Sequence, residues 1–525
     1  MRQNALDTEF LGHPKPLFGL SMTELWERFS FYGIRPLLVL FMTAAIVSGG
    51  LGLSRENAAA IAGIFGASLY LAALPGGWIA DNFLGQRKAL MIGSLIIASG
   101  HLSIALSYFI PALFFLGLTL IVIGSGLFKT CASVLVGTLY KKGDPRRDSG
   151  FTIFYMGINL GAIAAPIVTG FLQVKYGWHY GFGAGGIGML IAVVIFRFIT
   201  IPNFKEFQGK VGIDAVWDRP TQNNKKAKWI VLVGALVIFG VVVLCLGGFI
   251  PLDPVAIAGK MIIVILVSAV VYFIYLFFFS SLNTDDRKNL IVFVILFFAS
   301  ALFWSVFEQQ YTTFNFFADS LTNRHVFGFE IPTVWFQSIN AFFVITLAPL
   351  ISYLWIFLAR RNREFSSITK FALGLVGAGL GYIVMALAAN SVIAGNGDAA
   401  SAMQAIKDGK AVLASPWWLV VSLLFLSLGE LCLSPVGLSI MTKLAPSLIK
   451  GQVMGLWFLA SALGNVIAGL IGGEAHGGHL ATLPDLFYKC VWILFIVAVV
   501  LFVLRPFINK LTKTSSQGAE SKEVL

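Results

Sequence analysis

Charged residues are scarce in this sequence, which excludes an ordinary soluble globular domain. Only 12% of its 525 residues are Asp, Glu, Lys or Arg, whereas 58% are hydrophobic. A soluble domain is about a quarter charged, so this chain has too little polar surface to cover a soluble globule. Apolar runs of about 20 residues, the length that a helix needs to cross a bilayer, recur along the chain. The sequence therefore predicts an all-α polytopic membrane protein.

Cysteine and histidine are also few, and their positions exclude most site chemistries. The four cysteines lie far apart inside apolar segments, without the CxxC spacing of redox or metal sites. The six histidines form no HExxH motif, and no Gly-rich phosphate-binding loop is present. His476 and His479 weakly resemble a metal-binding tract, which leaves a membrane-embedded enzyme as one alternative. We expect no catalytic residues, no metal and no cofactor, and an ion gradient rather than ATP as the energy source.

The apolar runs and the basic loops together predict the number and orientation of the spans. Lys and Arg cluster after every second span, which fits the positive-inside rule and accounts for the net charge of +12 without nucleic acid. The polar N-terminal segment lacks the apolar region of a cleavable signal, so we expect both termini to be cytoplasmic. The fourteen predicted spans are 18–46, 56–80, 88–108, 109–139, 150–172, 181–202, 228–250, 259–281, 288–317, 331–359, 366–390, 416–444, 451–473 and 484–509.

One long polar loop near 203–227 and an apolar helix pair divide the chain. The pair at 228–281 has almost no charged or amide residues within its helices, which is typical of helices that face lipid. Six spans precede it and six follow. We therefore predict an N-terminal six-helix bundle at 1–202, a cytoplasmic linker with an inserted two-helix hairpin at 203–287, a C-terminal six-helix bundle at 288–509, and a cytoplasmic tail at 510–525.

The loop between the second and third spans carries a recognisable pattern. GGWIADNFLGQRKAL (76–90) resembles the loop signature of the major facilitator superfamily, with Asp81 in place and Gln86 where a basic residue is usual. The resemblance implies the major facilitator fold, in which two six-helix bundles surround a site near the midplane of the membrane. Asp81 would accept a hydrogen bond or cap a neighbouring helix.

The stretch TELWERFSFYGIR (23–35) places four charges at the start of the first span. On a helix, Glu24, Glu27, Arg28 and Arg35 fall within a sector about 140° wide together with Tyr32, opposite an apolar face. Each such charge costs about 2.5–3.5 kcal/mol in a membrane, so the sequence indicates a functional ionic face. The alternative is a structural cluster that neutralises itself.

Other spans repeat this pattern of isolated polar residues. The first half adds the cation Lys129, and the second half offers the carboxylates Glu308 and Glu430. Cations in one half and carboxylates in the other suit a ligand that bears both a carboxylate and an ammonium group. Further polar or aromatic residues on helical faces are Tyr155 with Asn159, Trp304 with Glu308, Glu430 with Ser434, and the separate residues Asn340, Trp457 and Asn465.

These segments resemble motifs of the proton-coupled oligopeptide transporter family in the family's order. ELWERFSFYG is similar to its E-x-x-E-R-F-x-Y-Y-G motif, and FYMGINLGA, FWSVFEQQ, WFQSIN, GELCLSPVGLS and GLWFLASALGN resemble its later motifs. The inserted pair at 228–281 is similar to that of prokaryotic members. The resemblance implies a proton-coupled symporter that imports di- and tripeptides by alternating access. It also implies a multi-pass protein of the bacterial inner (plasma) membrane, surrounded by lipid, without nucleic acid, and functional as a monomer.

The resemblance also implies roles for individual residues. Arg28 and Lys129 would bind the peptide carboxylate, and Glu24 and Glu27 would couple proton binding to these two cations. Arg35 and Glu308 would pair as a gate. The remaining implied substrate contacts are Asn159, Asn340 and Glu430 for the amino group, Tyr32, Tyr70 and Tyr155 along the cavity, and Trp304, Trp457, Phe458 and Ser434 around the peptide side chains.

Three departures from the family pattern bear on mechanism. Phe31 replaces a tyrosine, Thr130 and Cys131 replace Pro and Asn after Lys129, and Gly63 stands where animal members carry a histidine. Proton coupling therefore cannot depend on that histidine. We interpret His101 as a structural residue, with a proton role as the alternative. A carrier of nitrate or another anion on the same fold is the competing function, although a simple anion would not need Glu430.

Overall fold

The structure, a computed structural model, is built almost entirely of α-helices. It describes residues 8–141, 144, 146–211, 220, 225–249, 252–280, 282–361, 363, 365–444, 453–474 and 480–520. The first nine helices are α1 (Pro16–Thr43), α2 (Arg55–Leu71), α3 (Ala73–Ile79), α4 (Gln86–Leu106), α5 (Ala112–Gly137), α6 (Arg147–Tyr176), α7 (Trp178–Ile195), α8 (Ile201–Val211) and α9 (Lys225–Leu246). The others are α10 (Pro254–Ile274), α11 (Thr284–Phe307), α12 (Thr313–Ser320), α13 (Phe336–Arg360), α14 (Ser367–Gly395), α15 (Ala399–Lys407), α16 (Trp417–Leu444), α17 (Val453–Glu474) and α18 (Leu483–Glu520).

The helices confirm the predicted membrane fold and its spans. Within the described residues, 13 helical stretches are long and apolar enough to cross a bilayer. α1 is not among them because any stretch of it long enough to span a membrane includes at least three charged residues. Its 28 residues nevertheless exceed the length that a span needs. Counting α1 gives the fourteen spans expected from the sequence. Most helix ends lie within a few residues of the predicted limits.

The chain folds into two compact units. Unit 1 contains Met1–Leu53 and Ser68–Asp253, and unit 2 contains Ser54–Ala67 and Pro254–Leu525. α2 is therefore shared between the units, and the inserted pair is divided, with α9 in unit 1 and α10 in unit 2. Large apolar side chains of α9, including Trp229 and Phe239, are exposed, as a lipid-facing helix requires. The domain limits given above stay a prediction.

The ninth predicted span differs from expectation because it is interrupted. The sequence predicts one helix over 288–317, whereas α11 ends at Phe307 and a 3₁₀ turn, Glu308–Tyr311, separates it from α12. Polar side chains hold this turn: Thr313 Oγ1 donates to Gln309 Oε1 at 3.1 Å, and Gln309 Nε2 donates to the Ser305 carbonyl at 3.0 Å. Side chains that bond locally compete with helix hydrogen bonds, which accounts for the break.

Four further features were not expected from the sequence. α8 extends the sixth span into the predicted linker, and α18 extends into the predicted tail. α15 forms inside a segment predicted to be a loop, where Asp398 accepts a hydrogen bond from the Ser401 amide at 2.7 Å as its N-cap. A two-stranded hairpin, β1 (His325–Val326) and β2 (Phe329–Glu330), precedes α13.

The N-terminal segment is docked on unit 1 rather than extended. The ring nitrogen Nδ1 of His13 lies 2.9 Å from the Tyr140 hydroxyl, and Nε2 lies 3.3 Å from Ser149 Oγ. Arg146 donates to the Gly12 carbonyl at 3.0 Å. On the other side, Lys15 and Lys210 each pair with the two carboxylates of Glu9 and Glu206. These contacts tie residues 9–15 to the loop after α5 and to α8.

Candidate functional site

The charges at the start of α1 form one buried ionic group in unit 1. The Arg28 Nε atom lies 2.8 Å from Glu24 Oε1 and 2.7 Å from Glu27 Oε2. All three side chains are buried. Glu24 and Arg28 meet because they are four residues apart on one helix, so this part of the arrangement follows from local sequence. The guanidinium thus bridges both carboxylates of the motif.

Phe31, the residue that replaces a family tyrosine, lies among three cations. Its ring centre is 5.3 Å from Arg28 Cζ, 5.7 Å from Arg35 Cζ and 5.9 Å from Lys129 Nζ. The face of an aromatic ring is electronegative, so the ring attracts cations without neutralising them. A buried apolar side chain can therefore hold three positive groups near one another. Tyr32 packs edge-on against this ring at 4.9 Å.

Lys129 on α5 completes the group. Its Nζ atom lies 4.2 Å from the centre of the Tyr70 ring, and it is close enough to Glu24, Glu27, Arg28 and Arg35 for their charges to act on it. We call these five ionic residues, with Phe31 and Tyr70, the charge cluster. With every member ionised, its three cations outnumber its two carboxylates by one. In that protonation state the cluster has one positive charge that its own carboxylates do not balance.

Glycines in the FYMGINLGA motif let α6 approach α1 beside this cluster. A Cβ atom on Gly157 would lie 2.8 Å from the Ser21 carbonyl oxygen, and one on Gly161 would lie 2.4 Å from that of Leu25. Small residues four apart are the usual way for membrane helices to pack closely. Asn159, between them, is buried and donates to the Tyr155 carbonyl at 3.0 Å, while the Tyr155 side chain is half exposed.

Unit 2 contains a second polar group, around Glu430 on α16. Asn340 on α13 donates through Nδ2 to Ser427 Oγ at 2.9 Å and to Glu430 Oε2 at 3.3 Å. Glu308 is close enough for its charge to act on Glu430. We call Glu308, Asn340, Ser427 and Glu430 the acidic cluster. Its ionisable groups are two carboxylic acids, in contrast to the charge cluster of unit 1, which contains three basic residues.

Aromatic side chains accompany the acidic cluster. The rings of Trp304 and Trp457 meet edge to face with centres 6.5 Å apart, and both are buried. Phe458 follows Trp457 and is half-buried. Among the described residues, neither Trp304 Nε1 nor Ser434 Oγ has a hydrogen-bond partner, although both atoms are buried. Such unsatisfied groups cost about 1–3 kcal/mol each, so these two atoms are available to a polar ligand.

The structure shows the surroundings of three residues that the sequence singled out: His101, Gly63 and Asp81. His101 is buried, and its Nε2 lies 2.5 Å from Ser30 Oγ in unit 1. Its structural role stays a prediction. Gly63 packs against α17: an added Cβ would lie 2.8 Å from both Asn465 O and Gly469 Cα. A histidine side chain has no room there, which explains the glycine. Asp81 accepts a hydrogen bond from Gln86 at 2.7 Å, within its own loop.

Sequence reasoning missed a polar network near the break after α11. Gln337 donates to the Gln310 carbonyl at 2.6 Å and to Asn315 Oδ1 at 3.0 Å, and all three residues are buried. The run EQQY inside an apolar span was the available signal.

No group of three or more His, Cys, Asp or Glu in the described residues is placed to hold a metal ion. His476 and His479 lie outside the described residues.

The fold and the buried charges in its spans define a membrane transporter of the major facilitator type. The family model described as the POT family matches residues 87–475. The chain is 53% identical over 514 residues to "Peptide transporter YePEPT" of Yersinia enterocolitica subsp. palearctica, covering 98% of each chain. This chain therefore belongs to the POT family, whose members are transporters and not enzymes.

Solved structures agree with this assignment. A crystal structure of a peptide transporter POT in complex with sulfate matches with a TM-score of 0.83 and 36% identity, covering 96% of this chain and 97% of the other. A glutamate-to-glutamine mutant of a peptide transporter POT, in complex with alafosfalin, matches with a TM-score of 0.82, 36% identity and the same coverage. The major facilitator fold and a multi-pass membrane location follow for this chain.

Proposed function

We propose that this chain is a proton-coupled symporter that imports di- and tripeptides by alternating access. Peptide transport is supported by the relatives, one named as a peptide transporter and others as di-/tripeptide transporters. The observation that carries the finer proposal is the contrast between the clusters. One brings three cations close together and the other contains two carboxylates, which suits a ligand with a carboxylate and an ammonium group.

The charge cluster would bind the peptide carboxylate. Arg28 and Lys129 are its proposed ligands, with Tyr32, Tyr70 and Tyr155 along the cavity. Arg28 is already paired with Glu24 and Glu27. A peptide carboxylate must compete with these side chains for the same cations. Three cations close together give the incoming carboxylate a favourable place, at the cost of weaker contacts for Glu24 and Glu27.

The acidic cluster would bind the peptide ammonium group. Among the described residues, the Glu430 carboxylate accepts a side-chain hydrogen bond from Asn340, and a carboxylate can accept several more, so capacity remains for a ligand. We propose that Asn340 and Asn159 assist. Trp304, Trp457, Phe458 and Ser434 would surround the peptide side chains. Apolar pockets discriminate weakly, by about 1–3 kcal/mol per methylene, so many sequences should be accepted.

Proton coupling would be a competition within the charge cluster. When the peptide carboxylate takes Arg28 and Lys129, Glu24 and Glu27 lose part of their cation contacts. A carboxylate without a cation in an apolar surrounding favours its protonated form. Binding of peptide and proton would thus support each other. The proposed gate is an ion pair of Arg35 with Glu308, which protonation of Glu308 would weaken. No cofactor takes part.

Location and assembly complete the proposal. We propose a bacterial inner membrane location, with lipid around the spans and both termini in the cytoplasm, because the basic loops alternate along the sequence. A monomer is sufficient, since each unit carries its own cluster.

Uptake by the purified chain in liposomes tests the proposal. An inward proton gradient should drive accumulation of labelled dialanine, and unlabelled di- and tripeptides should compete with it. Free amino acids should not compete, because they cannot contact both clusters. Gradient-driven uptake of nitrate, without uptake of dialanine, would favour the anion carrier instead. Dialanine uptake that equilibrates without a response to the gradient would refute proton coupling but not peptide transport.

A further inference from the structure

Unit 1 has a basic pocket apart from both clusters. Its volume is about 330 Å³, at the lower end of the roughly 300–1,000 Å³ typical of ligand sites. Four cations line it: Arg87 and Lys88 at the start of α4, Arg197 in the π-helical turn after α7, and Lys205 on α8. No carboxylate is among the described residues that line it. The pocket therefore suits an anion.

Apolar side chains form the rest of this basic pocket. Met91, Ile92 and Ile201 line it together with the cations. A soluble phosphate would gain nothing from these three apolar side chains. A ligand with both an anionic and an apolar part would use the whole lining.

Two stripes of exposed residues lead away from the basic pocket along neighbouring helices. On α4, Lys88 is followed on the same face by Ile92 and Leu95, which are 37% and 48% exposed. On α7, Arg197 is preceded on the same face by Val194 and Leu190, which are 53% and 55% exposed. α4 starts at the pocket and α7 ends there, so both stripes run from the cations into the spans.

We propose that the basic pocket binds the headgroup of an anionic phospholipid, with the acyl chains along the two stripes. The phosphate would contact Lys88, Arg197 and Lys205. Basic pockets between membrane helices on the cytoplasmic side are suited to anionic headgroups because charge and apolar contact act together. This proposal does not depend on peptide transport. It assigns a structural or regulatory lipid to one edge of unit 1.

Native mass spectrometry of the purified full chain with added phosphatidylglycerol tests the site. The wild type should retain phosphatidylglycerol in preference to phosphatidylcholine, which has the same phosphate but no net charge. The Arg197→Gln/Lys205→Gln variant should retain roughly tenfold less phosphatidylglycerol than the wild type, and Lys88→Gln should show a smaller loss. Arg360→Gln/Arg361→Gln, which removes two exposed cations at the end of α13, is the matched control and should behave as the wild type.

Inorganic phosphate distinguishes the two sources of the anion. Phosphate added at the same concentration should not displace phosphatidylglycerol, because it lacks the apolar contacts. Displacement by phosphate would overturn the lipid proposal in favour of a soluble anion. Equal retention by the wild type and the Arg197→Gln/Lys205→Gln variant would overturn the site itself, as would an equal loss in the Arg360→Gln/Arg361→Gln control.

Discussion

The ammonium group of Lys129 lies 4.2 Å from the centre of the Tyr70 ring, so the cation and the aromatic face are in contact. The contact joins α5 to α2, and both residues belong to unit 1. A cation over an aromatic face is attracted without being neutralised. The ring therefore fixes the position of the Lys129 ammonium group without supplying a negative charge that would neutralise it.

Two substitutions of Tyr70 distinguish the contribution of its ring to peptide affinity from that of its hydroxyl group. Tyr70→Phe retains the aromatic face and should keep most of the peptide affinity, whereas Tyr70→Leu should lose it. The cation–π contribution of about 0.5–2 kcal/mol corresponds to a factor of about two to thirty in the apparent Kd for dialanine. Competition binding to the purified chain measures this. Equal losses in the two variants would show that the hydroxyl, rather than the ring, is what matters.

Removing one member of the charge cluster should uncouple peptide transport from the proton gradient. Lys129→Ala takes away one of the three cations, and Glu27→Gln takes away a proton acceptor. We expect each variant to lose gradient-driven accumulation of dialanine in liposomes. Lys175→Ala is the matched control, because Lys175 also lies over an aromatic ring, Phe171 at 5.5 Å, but is exposed at the end of α6. Peptide accumulation against its gradient by either cluster variant would contradict the coupling scheme.

A methyl group at Gly63 should destabilise unit 2. The added Cβ would lie 2.8 Å from backbone atoms of α17, so the two helices must move apart. Overpacking of this kind costs about 1–3 kcal/mol, which should lower the Tm of Gly63→Ala. Gly234→Ala on α9 is the control, since a Cβ there meets nothing within 4 Å. Melting curves in detergent check both variants, and an unchanged Tm for Gly63→Ala would refute the close approach.

The docked N-terminal segment should respond to pH through His13. Burial lowers the pKa of His13 below its usual 6.5, and nearby Arg146 acts in the same direction against the opposing charge of Asp144. Burial raises the pKa of Tyr140 to about 12, so its hydroxyl keeps its proton and can donate to a neutral His13 Nδ1. Docking is then fully favourable above pH 6.5 and weakens as the pH falls towards the lowered pKa of the docked form.

Cysteine labelling of the N-terminal segment measures this pH response. A cysteine that replaces Leu11, which is exposed and close to His13 in sequence, would report whether the segment is docked. Labelling at the native cysteines is measured separately and subtracted. Limited proteolysis of the same segment gives an independent reading. Cleavage should be faster at mildly acidic pH than at neutral pH in the wild type. In His13→Gln the rate should no longer depend on pH, and a retained dependence would contradict the assignment to His13.

The sequence predicted the spans and the ionic face of α1 because both are local patterns. Apolar runs determine where helices form, and Glu24 and Arg28 meet because they are one turn apart. Contacts between distant helices had no such signal. Lys129 meets Tyr70 and Asn340 meets Ser427 only through packing of the fold. The break at Glu308–Tyr311 was missed because hydropathy alone does not report local side-chain bonding.

Competition by an end-blocked peptide shows whether the peptide ammonium group binds the acidic cluster. In the wild type, N-acetylated dialanine should compete with labelled dialanine about thirtyfold more weakly than dialanine, since losing one partner of a desolvated charge pair costs about 2–5 kcal/mol. Glu430→Gln should weaken dialanine and leave the acetylated form unchanged, while Glu330→Gln on the β-hairpin should alter neither. Equal competition by dialanine and its acetylated form in the wild type would show that the acidic cluster does not bind the peptide ammonium group.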